Sequence, residues 1–248
     1  LLKSRVNKHL NHFMKLQEVM VYLKSKGNEQ TRKIYIKHGA PKGFYGVKVA
    51  DLKPLLKKLK GNHQLALELF NTGNSDAQYL AGLIAVPSEF TKKGLEEWAL
   101  AAGWYMISEY AVAWNVAERP DCIEISKEWI DSGNDKLQEA GWAAMNCHFG
   151  FAPNEELDLK YHESLIGRIE KEIQYAPNRV RYCMNGYVIA LGGAVPELTE
   201  TCKSAGDRIG KVEVSMGETA CKVPVIRPYI ENMENHGRIG KKKKTLKC

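Results

Sequence analysis

Glu68-Leu-Phe-Asn-Thr-Gly-Asn-Ser-Asp-Ala-Gln78 returns sixty residues later as Glu128-Trp-Ile-Asp-Ser-Gly-Asn-Asp-Lys-Leu-Gln138. In both copies a helical pattern stops at a Gly and another starts at an Asn, a residue type that caps helix N-termini. Such a recurrence marks helical pairs stacked in an array, where one unit cannot bury its apolar face alone and leans on its neighbours. The second helix of each copy supports the match. Ala77, Leu80, Ala81 and Ile84 fall at i, i+3, i+4 and i+7, as do Leu137, Ala140, Gly141 and Ala144. Small side chains in that stripe let adjacent helices approach closely.

Outward from these copies the chain reads as helix nearly throughout, broken at Gly and Pro. Residues 1–25 and 29–38 are predicted helices, Gly39–Gly46 a loop, and Val49–Leu59 a third helix. Pro87-Ser88 opens a helix to about Ala102, Ser108–Ala117 forms another, and Asp121 caps the one bearing Trp129. Pro153-Asn154 starts a long helix to about Gln174, and Pro177-Asn178 the next, its loop echoing the two earlier copies. Val212 and Val214 alternate with polar residues in Gly210–Val223, which predicts a β-hairpin or an extended loop. A short helix over Pro224–Asn235 follows, with residues after Gly240 expected to be mobile. The expected division is a helical repeat domain over 1–208 and a C-terminal appendage over 209–248.

The 248 residues are 44% hydrophobic and 26% charged, which suits an ordinary globular chain. No stretch approaches the roughly 18 uncharged residues needed to cross a bilayer, and a cytoplasmic location is expected. Six cysteines show no Cys-x-x-Cys spacing, so neither a metal nor a cofactor is expected; Cys147 and Cys183 read as buried thiols and Cys248 as the reactive one. Charge is uneven. Residues 1–27 carry a net of +5 and residues 222–248 a net of +6, leaving about −4 for 28–221. Basic ends point to a polyanion partner, or to a tail that only solubilises.

Three segments resemble the AlkD-like DNA alkylation repair proteins. Tyr45-Gly-Val-Lys-Val-Ala-Asp-Leu-Lys53 is similar to the family's aromatic-Gly-Val-x-x-Pro-x-Leu-Arg motif, and Ser75-Asp-Ala-Gln-Tyr-Leu-Ala81 to its His-Glu-Ala-Arg-x-x-Ala helix. Lys127-Glu-Trp-Ile-Asp-Ser-Gly-Asn134 is the third echo, and the resemblance spans roughly residues 28–192. It implies an all-α, right-handed superhelical array of HEAT-like antiparallel helix pairs. It also implies DNA held on a concave face, with two tryptophans flanking an aspartate and an arginine near the lesion.

Residue by residue the match is partial. Trp104 looks like the first aromatic, and Tyr187 stands where the second tryptophan is expected. Ser108 occupies the aspartate's position with Glu109 beside it, and Glu139 occupies the arginine's. Cleaving an N-glycosidic bond builds positive charge on the sugar, so a fixed carboxylate there lowers the barrier. Serine offers none. Glu109 serves only if a shift of helical phase absorbs its one-residue displacement, about 100° on an α-helix. Base excision from alkylated purines is therefore expected to be weak or absent, with Glu109 the one carboxylate candidate. Trp98, Trp114, Trp129 and Trp142 read as core fillers.

Two functional readings stand. In one, the protein binds damaged or distorted DNA through Trp104, Tyr187, Lys42, Lys48 and Lys53, with Arg238, Lys241, Lys242, Lys243 and Lys244 adding phosphate contacts. In the other, the array is a non-catalytic protein-interaction scaffold with a basic tail. A basic concave groove containing Lys42, Lys48 and Lys53 would favour DNA.

Overall fold

The structure is a computed structural model that describes residues 14–247. Its helices are α1 (Leu16–Lys26), α2 (Glu29–Lys37), α3 (Val49–Leu59), α4 (His63–Asn71), α5 (Ser75–Ile84) and α6 (Lys92–Ala101). A π turn, Ile107–Val112, runs into α7 (Ala113–Ala117). Then come α8 (Cys122–Ile130), α9 (Asp135–Phe149), α10 (Leu159–Glu172), α11 (Asn178–Ala194), α12 (Thr199–Ile209) and α13 (Ile226–Asn235). Among the described residues there is no strand, and no helix is long and apolar enough to cross a membrane.

The repeated segments fold alike, bond for bond. Thr72 and Ser132 each donate their hydroxyl to a carbonyl of the helix just ended, Leu69 and Trp129, both at 2.7 Å. Gly73 and Gly133 then take the left-handed backbone, at φ 67° and 71°, that glycine tolerates best. Asn74 and Asn134 follow as N-caps, each side-chain oxygen accepting from two backbone N–H groups of the next helix. Gln78 and Gln138 reach back to the carbonyls of Phe70 and Ile130. The third expected copy departs from this. Pro177 makes no side-chain cap, and Asn178 pairs through its amide with the backbone of Ser215 instead.

The second helices of the pairs pack side by side into an inner layer: α5, the π turn with α7, α9, α11 and α13. Close approach needs small residues. A Cβ on Gly82 would stand 2.4 Å from that of Ala111, and one on Gly141 3.0 Å from the Ser126 carbonyl. The fully buried Asn115 stitches that layer, donating to the carbonyls of Gly82 and Ala111 at 3.0 and 2.7 Å.

Two motifs that are distant in sequence form one unit. Asp76, buried at the start of α5, accepts the backbone N–H groups of Tyr45, Gly46 and Val47 at 2.7, 3.1 and 2.9 Å. Gly46 sits at φ 80°, and a Cβ there would press on Arg32 at 2.7 Å. Burial raises the Asp76 carboxyl above its usual range, opposed by those three donors.

Local expectations change at two helix starts and in the tail. The helix expected from Pro87 begins at Lys92, capped by Thr91, and a 3₁₀ turn over Pro87–Glu89 precedes it. The helix expected from Pro153 starts at Leu159, because Asp158 caps it by accepting from Tyr161 N at 3.1 Å, and a 3₁₀ turn over Asn154–Glu156 precedes it. Residues 210–223 take the second of their two alternatives, the extended loop, and form no hairpin. Their backbone groups are taken by side chains of α11 and its approach: Gln174 donates to the Ile209 and Lys211 carbonyls, Arg181 to that of Glu213, and Asn178 brackets Ser215. The result is an extended strap whose far end lies on α2, where Glu218 N donates to the Lys37 carbonyl at 2.9 Å.

The tail after Gly240 is held rather than mobile. It runs back over the C-terminal ends of the inner helices in reverse order. Gly240 N donates to Gly193 O and Lys243 N to Gly150 O, while Lys242 Nζ reaches Phe149 O at 2.7 Å. Lys247 Nζ reaches Ala85 O at 3.0 Å and Asn115 Oδ1 at 2.8 Å. Helix C-termini expose unpaired carbonyls at the negative end of the helix dipole, so a lysine-rich segment is their natural cover. Residues 1–13 and Cys248, with the readings made for them, lie outside the described residues.

Candidate nucleic-acid interface

At the opposite, N-terminal ends of the inner helices lies a cavity of about 330 Å³. Trp104, Tyr105 and Ser108 enter from the start of the π turn, Lys136 and Glu139 from α9, and Arg179 from α11. His38, Gly39 and the 102–103 backbone form one rim; Ser215, Met216 and Gly217 of the strap form another.

An ionic network makes the floor. Arg179 donates through Nε at 2.7 Å, and through Nη2, to Oε1 of Glu109. Its guanidinium is sandwiched between the rings of Tyr105 and Tyr182, at 4.4 and 4.3 Å, and its Nη1 meets Met216 Sδ at 3.8 Å. Ser108 donates its hydroxyl to Glu139. Burial raises the Glu109 carboxyl above its usual range, opposed by the adjacent Arg179 guanidinium and with a further push from Glu139. Burial likewise raises Glu139, opposed by the Ser108 hydroxyl and then by Arg179.

The π turn supplies the change of phase on which Glu109 depended. Its i→i+5 bonding winds the chain more loosely than an α-helix, and Ser108 and Glu109 are both buried in the network. Glu109 is thus a member of the site, but it lies beneath Arg179 rather than on the cavity wall. Glu139 does line the cavity, with the Ser108 hydroxyl on one of its oxygens.

Trp104 lines the cavity yet is only 8% exposed; Nε1 donates to the His38 carbonyl at 2.9 Å, and the ring packs on Tyr35, Phe44 and Tyr105. Tyr187 does not face the cavity. It is fully buried, with its hydroxyl 2.8 Å from His162 Nδ1 and its ring against Trp142 and Phe149, so it offers no face to a base. Trp98, Trp114, Trp129 and Trp142 are buried as expected.

Lys42, Lys48 and Lys53 are exposed, Lys42 in the loop that leaves the cavity rim at Gly39. Arg238, Lys241, Lys243 and Lys244 are exposed as well, whereas Lys242 is taken up by Phe149. These five lie at the C-terminal ends of the inner helices. The cavity is at the N-terminal ends, about 20 Å away along the 15 residues of α9. The tail and the cavity are therefore separate features.

Sequence reasoning missed Arg179. One signal was available: a cation in the first turn of a helix opposes the positive end of the dipole, so its presence calls for a partner. That partner, Glu109, lies on another helix and no local pattern names it.

The fold and this site together define a helical-repeat protein with a polar, aromatic-walled cavity at the N-terminal ends of its inner helices. The family model for DNA alkylation repair enzymes matches residues 19–200, and the chain belongs to that family. It is 36% identical over 215 residues to an uncharacterized protein of Listeria monocytogenes serovar 1/2a, and 37% identical to one of Listeria innocua serovar 6a. Each match covers 84% of this chain and 92% of the relative. A solved structure superposes with a TM-score of 0.88 at 30% identity, covering 95% of this chain and all of the other. That structure is described as belonging to a new family of proteins related to the HEAT-like repeat DNA glycosylases with affinity for branched DNA structures.

Proposed function

We propose that the protein binds DNA, preferring distorted or branched forms to linear duplex, and that it excises alkylated bases weakly or not at all. The observation that carries the second half is that Glu109 is paired with Arg179 off the cavity wall, while Glu139, which does line the cavity, holds the Ser108 hydroxyl on one oxygen and has its ionised form disfavoured by burial. A carboxylate stabilises a developing oxocarbenium ion only when it is ionised, fixed and directed at the sugar. The first half is supported by the family, by the affinity described for the structural neighbour, and by the charge of the first helices. Residues 14–60 hold twelve Lys or Arg against three acidic residues, a net of +9, and the cavity rim at His38 and Gly39 belongs to that segment. Phosphate contacts from such a surface provide affinity without reading sequence.

A protein-interaction scaffold is the second reading, favoured by the 24 acidic against 13 basic residues over 61–221. Fluorescence anisotropy with linear, abasic-analogue and branched DNA over a salt series separates the two. Tighter binding to branched DNA with a steep salt dependence supports the DNA reading, and no binding to any form at low salt rejects it. An excision assay on a methylated duplex tests the catalytic half, and clean single-turnover release of the base would overturn it.

A further inference from the structure

The roof of the cavity narrows the kind of DNA that can reach it. Ser215 is gripped by Asn178 through two hydrogen bonds, at 2.9 and 2.7 Å, so the strap is fixed to the start of α11. Its other end is fixed to α2, where Glu218 N bonds the Lys37 carbonyl and Gly217 presses so close that a Cβ would stand 2.2 Å from the same oxygen. Between these anchors, Met216 leans on Arg179. The strap thus closes one side of the approach to Trp104 and Ser108.

We infer that the cavity receives one unpaired nucleotide, supplied by the unpaired positions of a branched or gapped DNA, while the strap keeps base-paired DNA outside. This rests on the DNA-binding reading and assigns its ligand. The volume, about 330 Å³, suits a ligand of that size rather than a base pair with its flanking stacks. The walls are the aromatic Trp104 and Tyr105, the edge groups include the Glu139 carboxylate as acceptor, and the exposed Lys136, whose ammonium donates to the Leu100 carbonyl at 2.6 Å, has donors left for a phosphate. Extruding a paired base costs unstacking and unpairing energy, and the cost is least where the base is already unpaired. A rigid, roofed cavity therefore selects DNA that presents such a nucleotide.

The test compares a three-way junction that has two unpaired thymidines at its branch with the same junction fully paired, and with linear duplex, by anisotropy. A 2-aminopurine replacing one unpaired base reports its surroundings. The unpaired junction is expected to bind about tenfold or more tightly than the paired one, with the 2-aminopurine signal changing on binding. Gly103 lines the cavity, and a Cβ there meets only Pro41 at 3.7 Å, so Gly103→Leu is tolerated by the backbone and narrows the cavity. That variant, and separately Lys136→Ala, should shrink the preference while leaving the melting temperature near that of the wild type. Equal affinity for the two junctions would overturn this inference and leave the DNA reading standing. A preference untouched by both variants would also overturn it. Absence of binding to all three DNAs would remove the DNA reading with it.

Discussion

Arg179 and Glu109, 70 positions apart in the chain, are joined by two N–H donors converging on one carboxylate oxygen beneath the cavity. The pair is mostly out of solvent, with side-chain exposures of 19% and 8%. Its Coulombic attraction is set against desolvation of both ions, so its net contribution is small, but removing one partner strands the other.

Replacing Arg179 by Met should therefore cost about 3–5 kcal/mol, read as a fall in the urea midpoint. Adding Glu109→Gln to that variant should restore part of the loss. A double variant no more stable than Arg179→Met alone would show that the guanidinium acts through its packing on Tyr105 and Tyr182 rather than through the ion pair.

The two Asn caps offer a matched comparison. Asn134→Ala should cost about 1 kcal/mol, the usual value of an N-cap. Asn74→Ala should cost more, because Asn74 Nδ2 also donates to the Gly43 carbonyl at 3.0 Å and ties α5 to the loop beside the cavity. Equal losses in chemical denaturation would contradict this.

His162 gives the fold a predictable acid limb. Burial lowers its pKa to about 4, and its Nδ1 faces the Tyr187 hydroxyl. Between about 4 and the ordinary 6.5 the unfolded chain holds a proton that the native state does not, so stability rises with pH across that window and is lost as pH falls through it. The contribution is roughly 3 kcal/mol at most. His162→Gln should flatten this part of the stability curve, and an unchanged slope would mean that another group governs it.

Deleting residues 241–248 should lower the melting temperature without reducing the preference for branched DNA. The lost bonds to Phe149, Gly150, Ala85 and Asn115 span three of the inner helices, and a hydrogen bond to a charged group contributes about 1.5–3 kcal/mol net. If instead the melting temperature held and the salt dependence of DNA binding collapsed, the tail would be a DNA-binding arm.

The sequence by itself determined the repeat, because its signals are local. The Gly, Asn and Gln of the two copies act on backbone groups within eight residues, and a helical stripe is visible wherever a helix is long enough to show its period. The helix ends that it misread, such as that of α10, differ only by which nearby side chain wins the cap. It also singled out Ser108, Glu109 and Glu139, three positions that the fold brings into one buried network.

Tertiary structure decided what those residues face. Tyr187 became core because α10 presents His162 to it, which no spacing within α11 reveals. Arg179 entered the site because α11 is set beside the π turn, and the strap became a roof because its backbone found side-chain partners instead of a second strand. The tail's lysines, conspicuous as a charge run, turned to the carbonyl ends of helices that adjoin one another only after folding. Burial and pairing are properties of neighbours in space, and those neighbours lie up to 162 positions away along the chain.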